Sequence, residues 1–252
     1  SNATSASIVD ISAETNGAIT VLGGAGGNTV TMSGSSLGDT ITGGTGTDNI
    51  TVATANLDSL DTVNGVSGTD TLIFSANGTI ADADFTNVSN IDAITLGVGG
   101  VNTFVLGAEY AGSGSATVNL ATTNDSVTFG AGVTTAQTVA MTSGDDTVSA
   151  AGSSAAMTLT IAEANLDGND TLTGGSGSDT LSITFGGAGV TDVEMAGVTA
   201  IETIETADDS VGSLTLSDNN NVSSVLTIDA TNNTAAAFTL NASAENDGTI
   251  IY

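Results

Sequence analysis

The chain has 252 residues with 28 Asp plus Glu, no Lys, Arg or His, no Cys, Pro or Trp, 33 Gly, 6 Phe and 2 Tyr, for a formal charge of −28. With no cation it cannot neutralise phosphate, which excludes nucleic acid as a direct partner. Imidazole, thiolate, amine and guanidinium catalysis are closed too, leaving carboxylates, hydroxyls, two tyrosines and backbone amides.

Leu, Ile, Val and Phe total 59 residues, roughly 23%, just above the ~20% below which a highly charged chain stays disordered. A thick core is therefore not expected. Thr favours strands, while Gly, Asn and Asp favour turns, so many short strands and many turns are expected. No run of 18 apolar residues is present, so no membrane span is expected, and no charged segment followed by an apolar one marks a signal peptide. Ser1-Asn2-Ala3 reads as a tag-cleavage scar.

Along the chain one short unit recurs: an acidic or amide residue, a spacer and an apolar residue. It stands at Asn28-Thr29-Val30, Asp39-Thr40-Ile41, Asp48-Asn49-Ile50, Asp61-Thr62-Val63 and Asp70-Thr71-Leu72. It returns at Asp125-Ser126-Val127, Asp146-Thr147-Val148, Asp170-Thr171-Leu172, Asp179-Thr180-Leu181 and Asp209-Ser210-Val211. The pairs Asp39/Asp48, Asp61/Asp70 and Asp170/Asp179 are nine residues apart, and near the C-terminus Leu214, Leu226, Phe238 and Ile250 are 12 apart. Short apolar strands at fixed spacing, each bounded by turn formers, predict an all-β, mostly parallel β-solenoid in which every turn contributes a strand and stacked turns bury a narrow core. Parallel crossovers make it right-handed. Val30, Ile41, Ile50, Leu72, Val127, Val139, Leu172, Leu181, Leu214, Leu226 and Phe238 are expected to point inward. A β-sandwich is the alternative, but it gives no reason for constant 9s and 12s. In the stretch 82–96, apolar residues every third position (Phe85, Val88, Ile91, Ile94) predict one helical or 3₁₀ turn leading into a strand.

A longer repeat overlies the short one. Ala55-Asn56-Leu57-Asp58 recurs as Ala164-Asn165-Leu166-Asp167, and Asp70-Thr71-Leu72 as Asp179-Thr180-Leu181, both 109 positions on. Ser12-Ala13-Glu14 returns as Ser243-Ala244-Glu245, with Gly17 and Ile19 matched by Gly248 and Ile250. The predicted organisation is a first solenoid repeat at 4–118, a second at 119–240 and the start of a third at 241–252, cut from a longer array.

Gly43-Gly44-Thr45-Gly46-Thr47-Asp48-Asn49-Ile50-Thr51 and Gly174-Gly175-Ser176-Gly177-Ser178-Asp179-Thr180-Leu181-Ser182 fit the nonapeptide G-G-x-G-x-D-x-U-x, with U apolar. Degraded versions stand at 65–70, where Val66 replaces the second Gly, and at 23–28, where Asn28 replaces Asp. The pattern resembles the RTX, or haemolysin-type, calcium-binding repeat, in which the Gly/Asp part turns the chain and Ca²⁺ sits between stacked turns. Ca²⁺ takes six to eight hard oxygens, and glycine lets carbonyls converge. The resemblance implies calcium at Asp39, Gly43, Gly44, Gly46, Asp48, Asp61, Asp70, Asp170, Gly174, Gly175, Gly177 and Asp179. Glu163 lies outside any motif.

The 109-residue pattern resembles repetitive bacterial surface proteins, including surface-layer proteins and large adhesins. That implies an extracellular, cell-surface structural module without enzyme activity. Calcium, neighbouring repeats of the same chain and possible self-assembly or cell-surface glycan are its implied partners. Two other classes are weighed against it. A polysaccharide-acting enzyme could use Asp145/Asp146, Asp208/Asp209 or Glu202/Glu205 as acid and base, but no Trp platform exists. An ice-binding region could use Thr pairs such as Thr29/Thr31 and Thr158/Thr160, although Thr is the ordinary outward strand residue.

Overall fold

The computed structural model describes residues 5–207, 211–217, 225–234, 237–244 and 249–252. The expected architecture is present: every strand pairing is parallel, and the coils stack into a β-solenoid. One face is a continuous 12-stranded sheet running from Ile8–Asp10 to Thr249–Ile251. Along its inner side Val9, Val30, Ile50, Leu72, Ile94, Val118, Val139, Leu159, Leu181, Ile204 and Ile228 stand in register. Alternation in each strand sends these side chains inward and sends Thr outward. All from Val30 to Ile228 are buried, as are Ile41, Val127, Leu172, Leu214 and Leu226, while Phe238 is half-buried against the same core. Each buried Val, Leu or Ile stabilises by about 1.5–3 kcal/mol relative to exposure, so many thin layers replace one thick core.

The ladder corrects the expected period. Its steps run from 20 to 24 residues, so one coil carries two or more strands rather than one. The 9- and 12-residue spacings are parts of a coil. Thr40–Gly44 belongs to a four-stranded sheet and Asn49–Val52 to the 12-stranded one, while Gly212–Ser217 pairs with Phe238–Ala244 and Val225–Asp229 with Thr249–Ile251. The 109-residue repeat equals five coils, the ladder steps from Ile50 through Leu72, Ile94, Val118 and Val139 to Leu159. The 118/119 boundary falls inside the strand Thr117–Asn119, across which the long sheet is continuous.

The second face is segmented. In the coil from Leu72 to Ile94, Thr79–Ile80 opens a six-stranded sheet while Val88–Ser89 closes the four-stranded one. The 3₁₀ turn Asp82–Phe85 lies between them, as the three-residue apolar spacing predicts, and Phe85, Val88, Ile91 and Ile94 are all buried. The strand expected over 91–96 is the shorter Ala93–Thr95. The only α-helix among the described residues is the five-residue Ala108–Gly112, which places buried Tyr110 against Phe85 and Phe129 at ring-centroid distances of 5.5 and 6.1 Å.

Val66 shows what the nonapeptide glycine does for the coil. It pairs with Gly44, whose φ is +137°, and itself adopts φ +80°, a conformation that a β-branched residue resists. Such strain costs about 1–3 kcal/mol, against about 0.5–1 kcal/mol for the extra chain entropy of glycine. Val66→Gly is therefore expected to stabilise the solenoid by roughly 0.5–2 kcal/mol, measured by urea unfolding.

Candidate functional site

In the units from Asn28 to Asp179 the acidic or amide residue sits immediately before a strand, where the coil turns a corner. Its carbonyl still joins the ladder: Thr62, Thr71, Thr147 and Thr171 donate N–H to the carbonyls of Asp39, Asp48, Asp125 and Asp146 at 2.7–2.9 Å. Its own N–H has left the ladder; in Asp61 and Asp170 it reaches the carbonyls of Asp58 and Asp167 at 3.1 and 3.2 Å, and elsewhere it points to the next coil. That donor is met by a carboxylate from the next coil. Asn28 N–H reaches Asp48 Oδ1 at 2.6 Å, Asp48 N–H reaches Asp70 Oδ1 at 2.8 Å, and Asp70 N–H reaches Asp92 Oδ2 at 2.7 Å. A second column runs Asn102, Asp125, Asp146, Asp170, with contacts of 3.1, 2.9 and 2.9 Å. Shorter columns join Ile19, Asp39 and Asp61, and Met157, Asp179 and Glu202. An acceptor supplied to an otherwise orphaned buried N–H contributes about 1–3 kcal/mol, the cost of leaving that group unpaired.

The second carboxylate oxygen is treated unequally. In Asp39 it accepts the N–H and hydroxyl of Ser33, in Asp61 the N–H of Asp58, in Asp170 the N–H of Asp167, and in Asp179 the N–H of Gly175. In Asp48, Asp70 and Asp146 it is buried with no partner.

The nine-residue spacing was expected to return carboxylates to similar faces of the solenoid, but the members of each pair stand in different columns. Asp39 and Asp61 lie in one column, Asp48 and Asp70 in another, and Asp170 and Asp179 again in different ones. Neighbours along the columns are 20 to 24 residues apart. Among the described residues no group of three or more carboxylates is gathered that could hold a metal ion, whereas Ca²⁺ needs six to eight oxygens. The carboxylates at the positions named above bond backbone N–H groups of neighbouring coils. Their glycines have another role. A Cβ on Gly43 would lie 2.3 Å from Asp48 Oδ2 and 2.9 Å from the Gly65 carbonyl, and one on Gly174 would lie 2.6 Å from Asp179 Oδ2. Gly44, Gly46, Gly175 and Gly177 would each press a Cβ into the backbone of the coil before. These glycines admit the carboxylate and let coils approach.

Glu163 is more than the motif-free residue that the sequence suggested. It is buried and accepts the N–H groups of Gly186, Gly187 and Gly189 at 2.5–3.1 Å. Its signal was the glycine cluster one coil later. Asp82 likewise gathers the N–H groups of Gly107, Glu109 and Tyr110 at 2.7–3.2 Å. The acid pairs considered for glycoside chemistry are divided between tasks. Asp146 is buried in its column while Asp145 faces Asn124 and Asn169, and Glu202 serves Asp179 while Glu205 accepts from Asn232. Asp208 and Asp209 lie outside the described residues.

Burial pushes the carboxyls of Asp61, Asp70 and Asp170 above the usual range, opposed by the N–H bonds that each accepts. For Asp146 the push reaches about 7, from burial first, then from Asp125, Asp170 and Asp145, against the N–H of Asp125. Tyr110, buried and bonded through its hydroxyl to Gln137 at 2.6 Å, is raised to about 12 by burial.

No known protein family, curated protein or solved structure matches this chain.

The two roles of glycine separate experimentally. Gly43→Ala drives a methyl group into a buried carboxylate and is expected to destabilise by about 1–3 kcal/mol in thermal or urea unfolding. Gly112→Ala, in a helix with open space at the Cβ position, is expected to stabilise slightly.

Proposed function

We propose that the chain is a rigid structural repeat module of a secreted bacterial cell-surface protein of the surface-layer or adhesin kind, whose first partners are neighbouring repeats of the same chain. The observation that carries this reading is the 12-stranded parallel sheet passing without a break from one 109-residue repeat into the next. Each repeat adds five coils to a rod rather than a separate globule. The buried acids are committed to backbone N–H groups, which favours a scaffold over a catalyst. The surface-protein setting rests on the resemblance of the long repeat to such proteins, and self-assembly or glycan binding would be properties of the outer faces.

Calcium enters this reading through the RTX resemblance. In small-angle scattering, an added 109-residue unit should lengthen the particle by about 24 Å, five strand spacings of ~4.8 Å. EGTA should leave both that length and the melting temperature as they are in calcium once NaCl equalises ionic strength. A shorter increment would overturn the rod, and a stabilisation specific to calcium would restore the ion.

A second reading rests on Thr117, Thr138, Thr158, Thr180, Thr203 and Thr227, six consecutive threonines in register on the outer side of the long sheet. Such a rank suits an ordered surface such as ice, and thermal hysteresis would reveal it. The neighbouring rank contains Asn119, Ala140 and Glu205, which favours the scaffold.

A further inference from the structure

Three Asn-Gly pairs stand in this chain, at 16–17, 64–65 and 77–78. In such a pair the side-chain amide carbon of Asn lies open to the next peptide nitrogen, because glycine puts no Cβ in the way. Closing the five-membered ring between them needs three freedoms. The Asn side chain must swing, the backbone about it must turn, and the glycine N–H must be out of any hydrogen bond. The fold grants these freedoms unequally.

Asn64 is held on every side. It lies inside the strand Thr62–Val66 between its ladder partners Thr42 and Ser89, and its Oδ1 accepts the Val66 N–H at 2.9 Å and the Asn90 amide at 2.8 Å. Gly65 is walled in as well, since a Cβ there would lie 2.1 Å from the Asn90 carbonyl. Asn16 is exposed in a bend, but Glu14 binds that bend. One Glu14 oxygen accepts the N–H groups of Thr15 and Asn16 at 3.1 and 2.8 Å and lies 3.5 Å from where a Gly17 Cβ would stand. Its charge opposes loss of the Gly17 proton, the step that makes the peptide nitrogen a nucleophile. Asn77 is exposed in the irregular link between the strands Thr71–Phe74 and Thr79–Ile80. Among the described residues nothing bonds its side chain, and neither its N–H nor that of Gly78 has an acceptor. Its amide rests over Gly100 of the next coil, where a Cβ would come within 2.6 Å of Nδ2. The Gly78 carbonyl is anchored on the Thr103 N–H at 2.8 Å, so the link is fixed at its far end and free at the reacting atoms.

We propose that Asn77 is a self-modification site: in the folded module the Gly78 nitrogen displaces the Asn77 amide as ammonia, and the protein acquires an acid at the entry to the six-stranded sheet.

The reaction balances with water as its only co-reactant. The Gly78 nitrogen gives up its proton and bonds to Cγ of Asn77, the Cγ–Nδ2 bond breaks, and the amide leaves as ammonia carrying that proton. Water then adds to one of the two ring carbonyls. Opening at Cγ leaves an ordinary aspartate. Opening at the main-chain carbonyl leaves isoaspartate, in which the main chain runs through Cγ and is longer by one methylene. Either product adds one negative charge to a chain whose formal charge is −28. Isoaspartate also displaces the Gly78 carbonyl from Thr103 and so loosens Thr79–Ile80, the strand with which the six-stranded sheet begins. Because ammonia is lost, the change is irreversible and records the age of the module. The inference depends on this local geometry and not on the surface-protein reading.

The test holds the intact folded chain at pH 8 and 37 °C beside the same chain in urea and follows each Asn-Gly pair by peptide mass spectrometry. Thermolysin makes the peptides, because without Lys or Arg trypsin has nowhere to cut. The urea sample gives the rate of each pair when free, and folded rates are read as fractions of it. Asn77 is expected to keep the largest fraction, with that of Asn64 smaller by about tenfold or more, because reaction there waits for the strand to open. Asn77→Gln, whose longer side chain would need a six-membered ring, should remove most of the acidic species that ion exchange resolves from the aged protein. Equal fractions at the three pairs, a larger one at Asn16, or an intact amide at Asn77 after the unfolded chain has converted would each overturn the proposal. An undiminished acidic species from Asn77→Gln would overturn it too.

Discussion

The bond between a carboxylate and the backbone N–H one coil away is the contact on which this solenoid depends. A β-ladder satisfies backbone groups only where strands run side by side, and at each corner the chain turns its N–H out of the ladder. In most soluble folds such a group meets water. Here the corners are covered by the next coil, and Asp48, Asp70, Asp125, Asp146 and Asp179 are at most 1% exposed. An Asp placed one residue before the strand has the reach to cap the N–H of its counterpart and to lend its own N–H to the next. The bond therefore propagates along the rod in the same direction as the sheet, and it fixes register as well as energy.

Columns of acids carry an electrostatic cost that this composition does nothing to offset. Two charges ~5 Å apart repel by about 3 kcal/mol at an effective dielectric constant of ~20, while a hydrogen bond to a charged acceptor contributes about 1.5–3 kcal/mol. Repulsion and bonding are thus of similar size, and the outcome turns on the second oxygen. Ser33 for Asp39, Asp58 for Asp61, Ala121 for Asp125 and Asp167 for Asp170 each supply an additional donor, which tips the balance toward bonding. Asn at the head of both long columns fits the same logic. Its amide gives one more hydrogen to the first carboxylate and adds no charge to the stack.

Much of the fold was legible in the residues. The Asp-spacer-apolar unit located strands at Thr40–Gly44, Thr62–Val66, Thr147–Ser149 and Thr171–Thr173, because an inward apolar residue flanked by Thr is the signature of one pleat. The coil length was hidden. Strands of different sheets share that signature, so the most frequent spacing, nine, joined Asp39 to Asp48 rather than to Asp61. The glycines misled for a related reason: a nonapeptide that admits calcium between turns and one that admits a carboxylate against a backbone both require the Cβ to be missing. Glu163 stayed invisible because its partners are three backbone N–H groups, which any sequence possesses, brought to it only by a coil of 23 to 26 residues.

The length of the long repeat follows from the segmented second face. If every coil were equivalent, resemblance would peak at about 22 residues, but it peaks at 109, five coils. The coil from Leu72 to Ile94 differs from its neighbours in carrying strands of two second-face sheets, Thr79–Ile80 and Val88–Ser89. Its counterpart from Leu181 to Ile204 repeats the arrangement, with Val190 bridging to Leu214 while Val198–Thr199 closes the six-stranded sheet. Such a coil has more width to fill, and the largest interior side chains gather around the first of them: Phe74 stacks edge-on with Phe104 at 5.0 Å, and Phe85 with Tyr110 at 5.5 Å. One handover per repeat makes each of the five coils locally distinct in width, corner and filling, so selection on packing preserves the five-coil unit and lets its single coils diverge.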